Sequence, residues 1–289
     1  MLILVAVAVL VAFGAVLGAA TGFTPWGGMG IASVIGLVLA LVAWNQGSDI
    51  VLASAGAREI RKEEDPELVN VIEEMSIASG LPRPRIYLID DDAMNAFATG
   101  MKPDQGVVAI TRGLRQTLSR DELQGVMAHE MAHIGNFDTR VMVLMAVIVG
   151  SVAIMADWYL RSMRYSRGGG SGKNKGQAAL IIAAILLAIL APIMAKLIQF
   201  AVSRKREYLA DATAAKLTRN PGALADALDK LANSPVKLKA ANRGTQHMFI
   251  VNPFRLRQKL SHAFATHPPV ADRIHRLRRL AGATQLPAR

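Results

Sequence analysis

Two histidines four residues apart stand in the run His129-Glu130-Met131-Ala132-His133. On a helix that spacing puts both imidazoles on one face, one turn apart, within reach of a single zinc ion. Glu130 follows His129 and can face water at the open coordination position. Two nitrogen ligands and a general base within two turns are the parts of a metal-assisted hydrolysis. A catalytic zinc usually takes three protein ligands, so a third must come from elsewhere.

The flanking residues must make the helix. Ser119 with Glu122 reads as a capping box. Leu123, Val126, Met127 and Ile134 form an apolar stripe, and Gly135-Asn136 is a C-terminal stop. Further along, Glu207 and Asp211 are four apart on a second expected helix. Glu207 could complete a His, His, Glu set. Asp211 could accept a hydrogen bond from the other ring nitrogen of a ligating histidine, fixing its tautomer. The pattern alone is equally that of an acidic pair in water, or paired with Arg204, Lys205 and Arg206.

The composition restricts where this chemistry takes place. Of 289 residues, 52% are hydrophobic and 19% charged, and the mean hydropathy is +0.30. Those values exclude an ordinary soluble enzyme and point to membrane segments. The net charge of +11 suits an anionic leaflet. No nucleic-acid motif accompanies it, so nucleic acid is not an expected partner. With 0 cysteines, disulfides and thiolate sites are excluded, and any zinc must be held by N and O donors.

Four uncharged or nearly uncharged runs are expected to be membrane segments: Met1–Ala20, Gly27–Trp44, Val141–Leu160 and Gln177–Ala195. Without a basic N-terminal region the first reads as a retained anchor. A basic Gly/Ser loop, 161–176, joins the last two. If both of those span, the loop lies across the membrane from the site, against the positive-inside rule for a cytosolic site. The flanks Arg58, Arg61, Lys62, Arg140, Arg204, Lys205 and Arg206 still favour the cytosol.

Between these runs the chain is polar. Asp65-Pro66 starts a helix that ends at Gly80. Arg85–Ile89, Asn95–Thr99 and Val107–Thr111 read as short strands. A protease must hold its substrate extended, and pairing with a sheet edge does so without reading sequence. Asn95, Ala96, Phe97, Ala98 and Thr99 are the candidate edge, although strand pattern alone favours an interior strand. Asn220-Pro221 begins a later helix, Met248–Val251 is a short apolar element expected under the site, and Pro268-Pro269 leads into a basic helix.

In order and combination these features resemble the HtpX family of membrane-bound zinc metalloproteases, distant relatives of the CaaX prenyl endoproteases. The resemblance covers almost the whole chain. It rests on the N-terminal hairpin, Asn95-Ala96-Phe97-Ala98, the motif helix continuing as Gly135-Asn136-Phe137-Asp138, two further apolar segments, Ser203-Arg204 through Glu207 and Asp211, and Thr266-His267-Pro268-Pro269 with Arg273-Ile274. It implies that His129, His133 and Glu207 bind zinc, that Glu130 is the base and that Asp211 supports the site. It also implies a cytoplasm-facing site in the bacterial inner membrane and a stress-response role in clearing damaged membrane proteins. His267 or Arg273 could stabilise charge developing on the scissile carbonyl oxygen; the same residues also read as a turn cap at His267 and a solvated or lipid-facing stripe of arginines.

The expected fold is mainly helical α+β, with four hydrophobic membrane segments and a zincin-like catalytic domain built from two polar regions. The expected divisions are 1–45, 46–140, 141–200 and 201–289. The expected activity is zinc-dependent cleavage of membrane-protein or unfolded-protein substrates at the bilayer. Two alternatives stand beside it. One is a metal-binding membrane sensor or scaffold, which would have no need of Glu130. The other is an endoprotease of lipidated peptides, for which four spans are few.

Overall fold

The computed structural model describes residues 24–147, 204–239, 247–251 and 268–284, with isolated positions 8, 11, 12, 14, 15 and 245. The chain divides into two compact units, 1–47 with 144–201 and 48–143 with 202–289.

Helix α1, Pro25–Ser54, is the one helix among the described residues long and apolar enough to cross a membrane. It contains the expected run Gly27–Trp44 and continues to Ser54. Ile31, Val34, Leu37 and Leu41 are exposed along it, an apolar surface of the kind that lipid or protein covers. The run Gln177–Ala195 and the loop 161–176 lie outside the described residues, as do all but a few positions of Met1–Ala20. Of Val141–Leu160 only residues 141–147 are described, and these are helical.

The second unit is mainly helical around a four-stranded sheet. Its strands are β1 (Ala57–Glu59), β2 (Arg85–Ile89), β3 (Ala96–Thr99) and β4 (Val107–Thr111), in the order β1-β2-β4-β3. β2 and β4 run parallel, with Arg85 beside Val107, and the two outer pairings are antiparallel. Among the described residues its helices include α2 (Pro66–Ser79), α3 (Arg112–Thr117), α4 (Arg120–Gly135), α5 (Arg204–Thr218), α6 (Pro221–Asn233) and α7 (Val270–Thr284).

Local sequence accounts for several boundaries. The Asp65 side chain accepts from Leu68 N–H, Pro66 opens α2, and Gly80 closes it in the left-handed conformation. Two elements depart from expectation. β1 forms within a charged stretch because Ile60 N–H donates to the Ile86 carbonyl at 2.9 Å and its side chain enters the core. α3 is started by Thr111, whose hydroxyl accepts from Leu114 N–H. Gly113 is needed there, since a Cβ would lie 1.9 Å from the Asp92 carbonyl oxygen.

One core joins the layers. Leu68 and Ile72 of α2, Leu123, Met127 and Met131 of α4, Val108 and Ile110 of β4, and Leu224 and Leu228 of α6 pack together. At Gly125 a Cβ would stand 3.1 Å from Leu224 backbone atoms, so α4 and α6 cross closely there. The core thus fixes α4 from several sides, and α4 carries the motif.

Candidate metal centre

The capping box forms at the start of α4. Ser119 N–H donates to Glu122 Oε2 at 2.7 Å, and the Ser119 hydroxyl accepts from Glu122 N–H. Lys230 of α6 binds the same Glu122 oxygen at 2.7 Å. At the other end Asn136 N–H reaches the Ala132 carbonyl at 3.0 Å. Between these ends His129, Glu130 and His133 are all buried.

His129 Nε2 and His133 Nε2 face each other at 3.1 Å. Glu207 of α5 closes a triangle with them, with Oε1 at 3.6 Å from His133 Nε2 and Oε2 at 3.8 Å from His129 Nε2. One donor atom from each residue lies within 4.8 Å of the others. Two donors sharing one tetrahedral zinc at ~2.1 Å stand roughly 3.3 Å apart. The spacing and the N, N, O donor set therefore fit zinc.

Carboxylates hold the far side of both rings. His129 Nδ1 lies 3.0 Å from Asp211 Oδ1. His133 Nδ1 lies 3.0 Å from Asp138 Oδ2, and Arg206 donates to Asp138 Oδ1 at 2.9 Å. A carboxylate at Nδ1 fixes the proton there and leaves the Nε2 lone pair for a metal. Asp211 is gripped in turn by Arg273, whose Nε and NH2 reach its two oxygens at 2.8 and 2.7 Å.

Arg273 is fully buried at the junction of these groups. Its NH1 lies 3.3 Å from Glu207 Oε2 and donates to the Ile250 carbonyl at 3.2 Å. Its donors are thus committed to carboxylates and to backbone. His267 lies outside the described residues.

Burial and charge set the protonation of the metal-free site. Burial draws His129 down to about 4, with Arg273 and His133 adding to the effect and Asp211 opposing it. Burial also works against the charge on His133. The hydrogen bond to Asp138 and the charges of Glu207 and Glu130 outweigh it and raise that ring to about 9. Glu130 is pushed up to about 7 by burial and by Glu207, against His133 and Arg273. Asp211 stays down at about 2, because Arg273 and His129 overcome its burial. Arg273 is held firmly protonated in spite of burial, by Asp211 first and then Glu207 and Glu130.

The candidate edge residues meet this site. β3 is an outer strand of the sheet, and all four of its residues are buried, as is Asn95. The backbone of Ala98 favours the charged form of the Glu130 carboxylate.

Asp138 is the residue that motif reasoning left without a role. Five positions past His133, a continuous helix would carry it well away from the ring. Phe137 instead adopts the left-handed conformation, with φ 58°, and turns the chain back. The sequence signal is an acidic residue just past a helix stop, five positions after a candidate ligand.

The model of peptidase family M48 matches residues 62–281. The chain belongs to this family. It is 48% identical over 236 residues to a protein named Protease HtpX homolog from Dictyoglomus thermophilum, covering 82% of this chain and 76% of that one. The like-named protein of Dictyoglomus turgidum is 46% identical over 251 residues, 87% of this chain and 81% of that one. That of Pyrococcus furiosus is 44% identical over 257 residues, 88% and 87% of the two chains. This M48 chain is therefore a metalloprotease, and its metal is zinc.

Proposed function

We propose that the chain is an endopeptidase of the bacterial inner membrane, acting on damaged or unfolded membrane proteins from the cytoplasmic side. The observation that supports this most is the convergence of His129, His133 and Glu207, with Glu130 beside them in a buried site. His129, His133 and Glu207 would hold zinc, which when bound supplies a Lewis acid to polarise the scissile carbonyl. Glu130 takes a proton from the attacking water and passes it to the leaving amine. Burial and the Glu207 charge raise Glu130 to about 7 in the metal-free protein, and the charge of a bound zinc would act in the opposite direction. Asp211 and Asp138 orient the two imidazoles, and Arg273 positions Asp211. β3 holds the substrate backbone.

The location rests on the apolar runs and on the flanking Arg58, Arg61, Lys62, Arg140, Arg204, Lys205 and Arg206. Reporter fusions within 161–176 and after Arg289 test the orientation. The activity is tested by casein or membrane-protein cleavage with detergent-purified full chain, zinc-loaded, beside Glu130→Gln and a chelated control. Cleavage by the zinc-loaded wild type alone supports the reading. Equal cleavage by Glu130→Gln removes Glu130 from its role.

A further inference from the structure

In an antiparallel pair, residues alternate between bonding the partner strand and turning their N–H and C=O outward. Thr111 N–H donates to the Asn95 carbonyl at 3.0 Å, which fixes the phase of the β3–β4 pairing. Ala96 and Ala98 therefore direct their backbone groups away from β4. This outer edge is where an added strand would pair.

The chain's own residues 248–251 lie against it. Ile250 N–H donates to the Ala96 carbonyl at 3.0 Å. The Asn95 side chain brackets Val251, its Nδ2 donating to the Val251 carbonyl at 2.9 Å and its Oδ1 accepting from Val251 N–H at 3.4 Å. Phe249 meets Phe97 edge to face, with ring centroids 5.1 Å apart. Arg273, which also contacts Glu207 and Asp211, donates to the Ile250 carbonyl at 3.2 Å. Residues 248–251 are all buried.

An extended substrate would need these same groups: an outward carbonyl on β3, a side-chain amide beside it and a cation at the carbonyl next to the metal ligands. Residues 248–251 are not a regular strand. They follow a turn in which Met248 N–H donates to the Thr245 carbonyl at 2.9 Å, and then bend. They present one N–H to Ala96 and a short backbone stretch to Asn95, far fewer ladder bonds than a paired strand makes.

We infer that Met248–Val251 is an internal peptide seated on the substrate edge of β3, and that a substrate segment enters by exchanging with it. This rests on the reading of β3 as the substrate strand. The exchange favours extended segments rich in apolar side chains, because such a segment must replace Phe249 against Phe97 and keep Ile250's surroundings dry. Unfolded membrane-protein segments have that chemistry. A polar peptide would leave the site closed.

The chain has 0 cysteines, so an engineered pair is unambiguous. Ala96→Cys with Ile250→Cys, in the full chain in detergent, can be oxidised to tie the segment to β3. Casein cleavage by wild type, measured first, tests the peptidase reading alone and separates its failure from failure of this inference. The expected result is that the oxidised pair cleaves casein at less than a tenth of the rate of the reduced pair, with zinc content equal in both. Oxidised and reduced rates within twofold of each other overturn the inference. If the pair is inactive in both states, hydrogen exchange on wild type decides. Amides of 248–251 exchanging at least tenfold faster under saturating casein support displacement, and unchanged exchange during turnover overturns it.

Discussion

Asp138 Oδ2 lies 3.0 Å from His133 Nδ1, on the side of the ring away from His129 and Glu207. Because Arg206 binds the other Asp138 oxygen, the carboxylate is held in orientation. Asp138→Ala should weaken zinc binding by about 10–100-fold, the usual effect of losing such a partner. Asp138→Asn should recover part of the loss, since the amide oxygen still accepts from Nδ1. Competition against a chelator of known affinity measures both. Equal affinity in all three proteins would mean that Asp138 serves only the fold.

The same contact makes zinc binding depend on pH. His133 is raised to about 9 in the metal-free protein, so at pH 7 it carries a proton that zinc must displace. Apparent affinity should rise by roughly tenfold per pH unit from pH 7 towards 9, then level off. His129, drawn down to about 4, is already neutral over that range and adds no slope. Zinc added at pH 7 in weak buffer should release about one proton or more per site, and near none at pH 10. Proton release that is equal at both pH values would contradict the raised pKa.

Glu130→Gln keeps the size of the side chain and its place on α4 but cannot take a proton. Turnover should fall by about 10²–10⁴-fold, the range for general acid–base catalysis, with zinc stoichiometry unchanged. Zinc content by metal analysis beside the cleavage rate separates a base from a ligand.

Much of α4 was legible because its signals are local: Ser119 and Glu122 cap it, Asn136 stops it, and the histidine spacing fixes one face. β2, β3 and β4 were likewise marked by short β-branched and apolar runs. Long-range order was not. No local pattern says that β2 and β4 lie side by side in parallel, with Arg85 opposite Val107. That arrangement leaves β3 at the rim of the sheet. The place of Asp138 depends on one backbone angle at Phe137, a residue type that seldom adopts it. Met248–Val251 was readable as apolar and expected near the site. Its seat on β3 depends on Asn95, 156 positions from Val251.

Gly113 makes a close backbone approach where α3 begins. Gly113→Ala places a Cβ 1.9 Å from the Asp92 carbonyl oxygen, so the loop or α3 must move. The cost should be about 1–3 kcal/mol or more, as for other overpacked sites. Thermal unfolding of the detergent-purified protein tests it, with Gly30→Ala as a control at a position where a Cβ meets nothing within 4 Å. Equal midpoints for the two variants would refute the steric argument.

Arg273 is the buried cation among Asp211, Glu207 and Glu130, so its removal is an electrostatic experiment. Arg273→Met preserves much of the apolar stem but leaves Asp211 and Glu207 without that partner. Breaking a buried pair in this way costs about 3–5 kcal/mol, most of it from the charge left behind. Arg273→Lys should recover little, because the planar fork that spans both Asp211 oxygens is lost. Zinc held by His129, His133 and Glu207 would add positive charge there and so offset part of the deficit. The drop in unfolding midpoint should therefore be larger in the metal-free protein than in the zinc-loaded one. A drop of the same size in both states would mean that Arg273 acts by packing, independently of the charge at the metal centre.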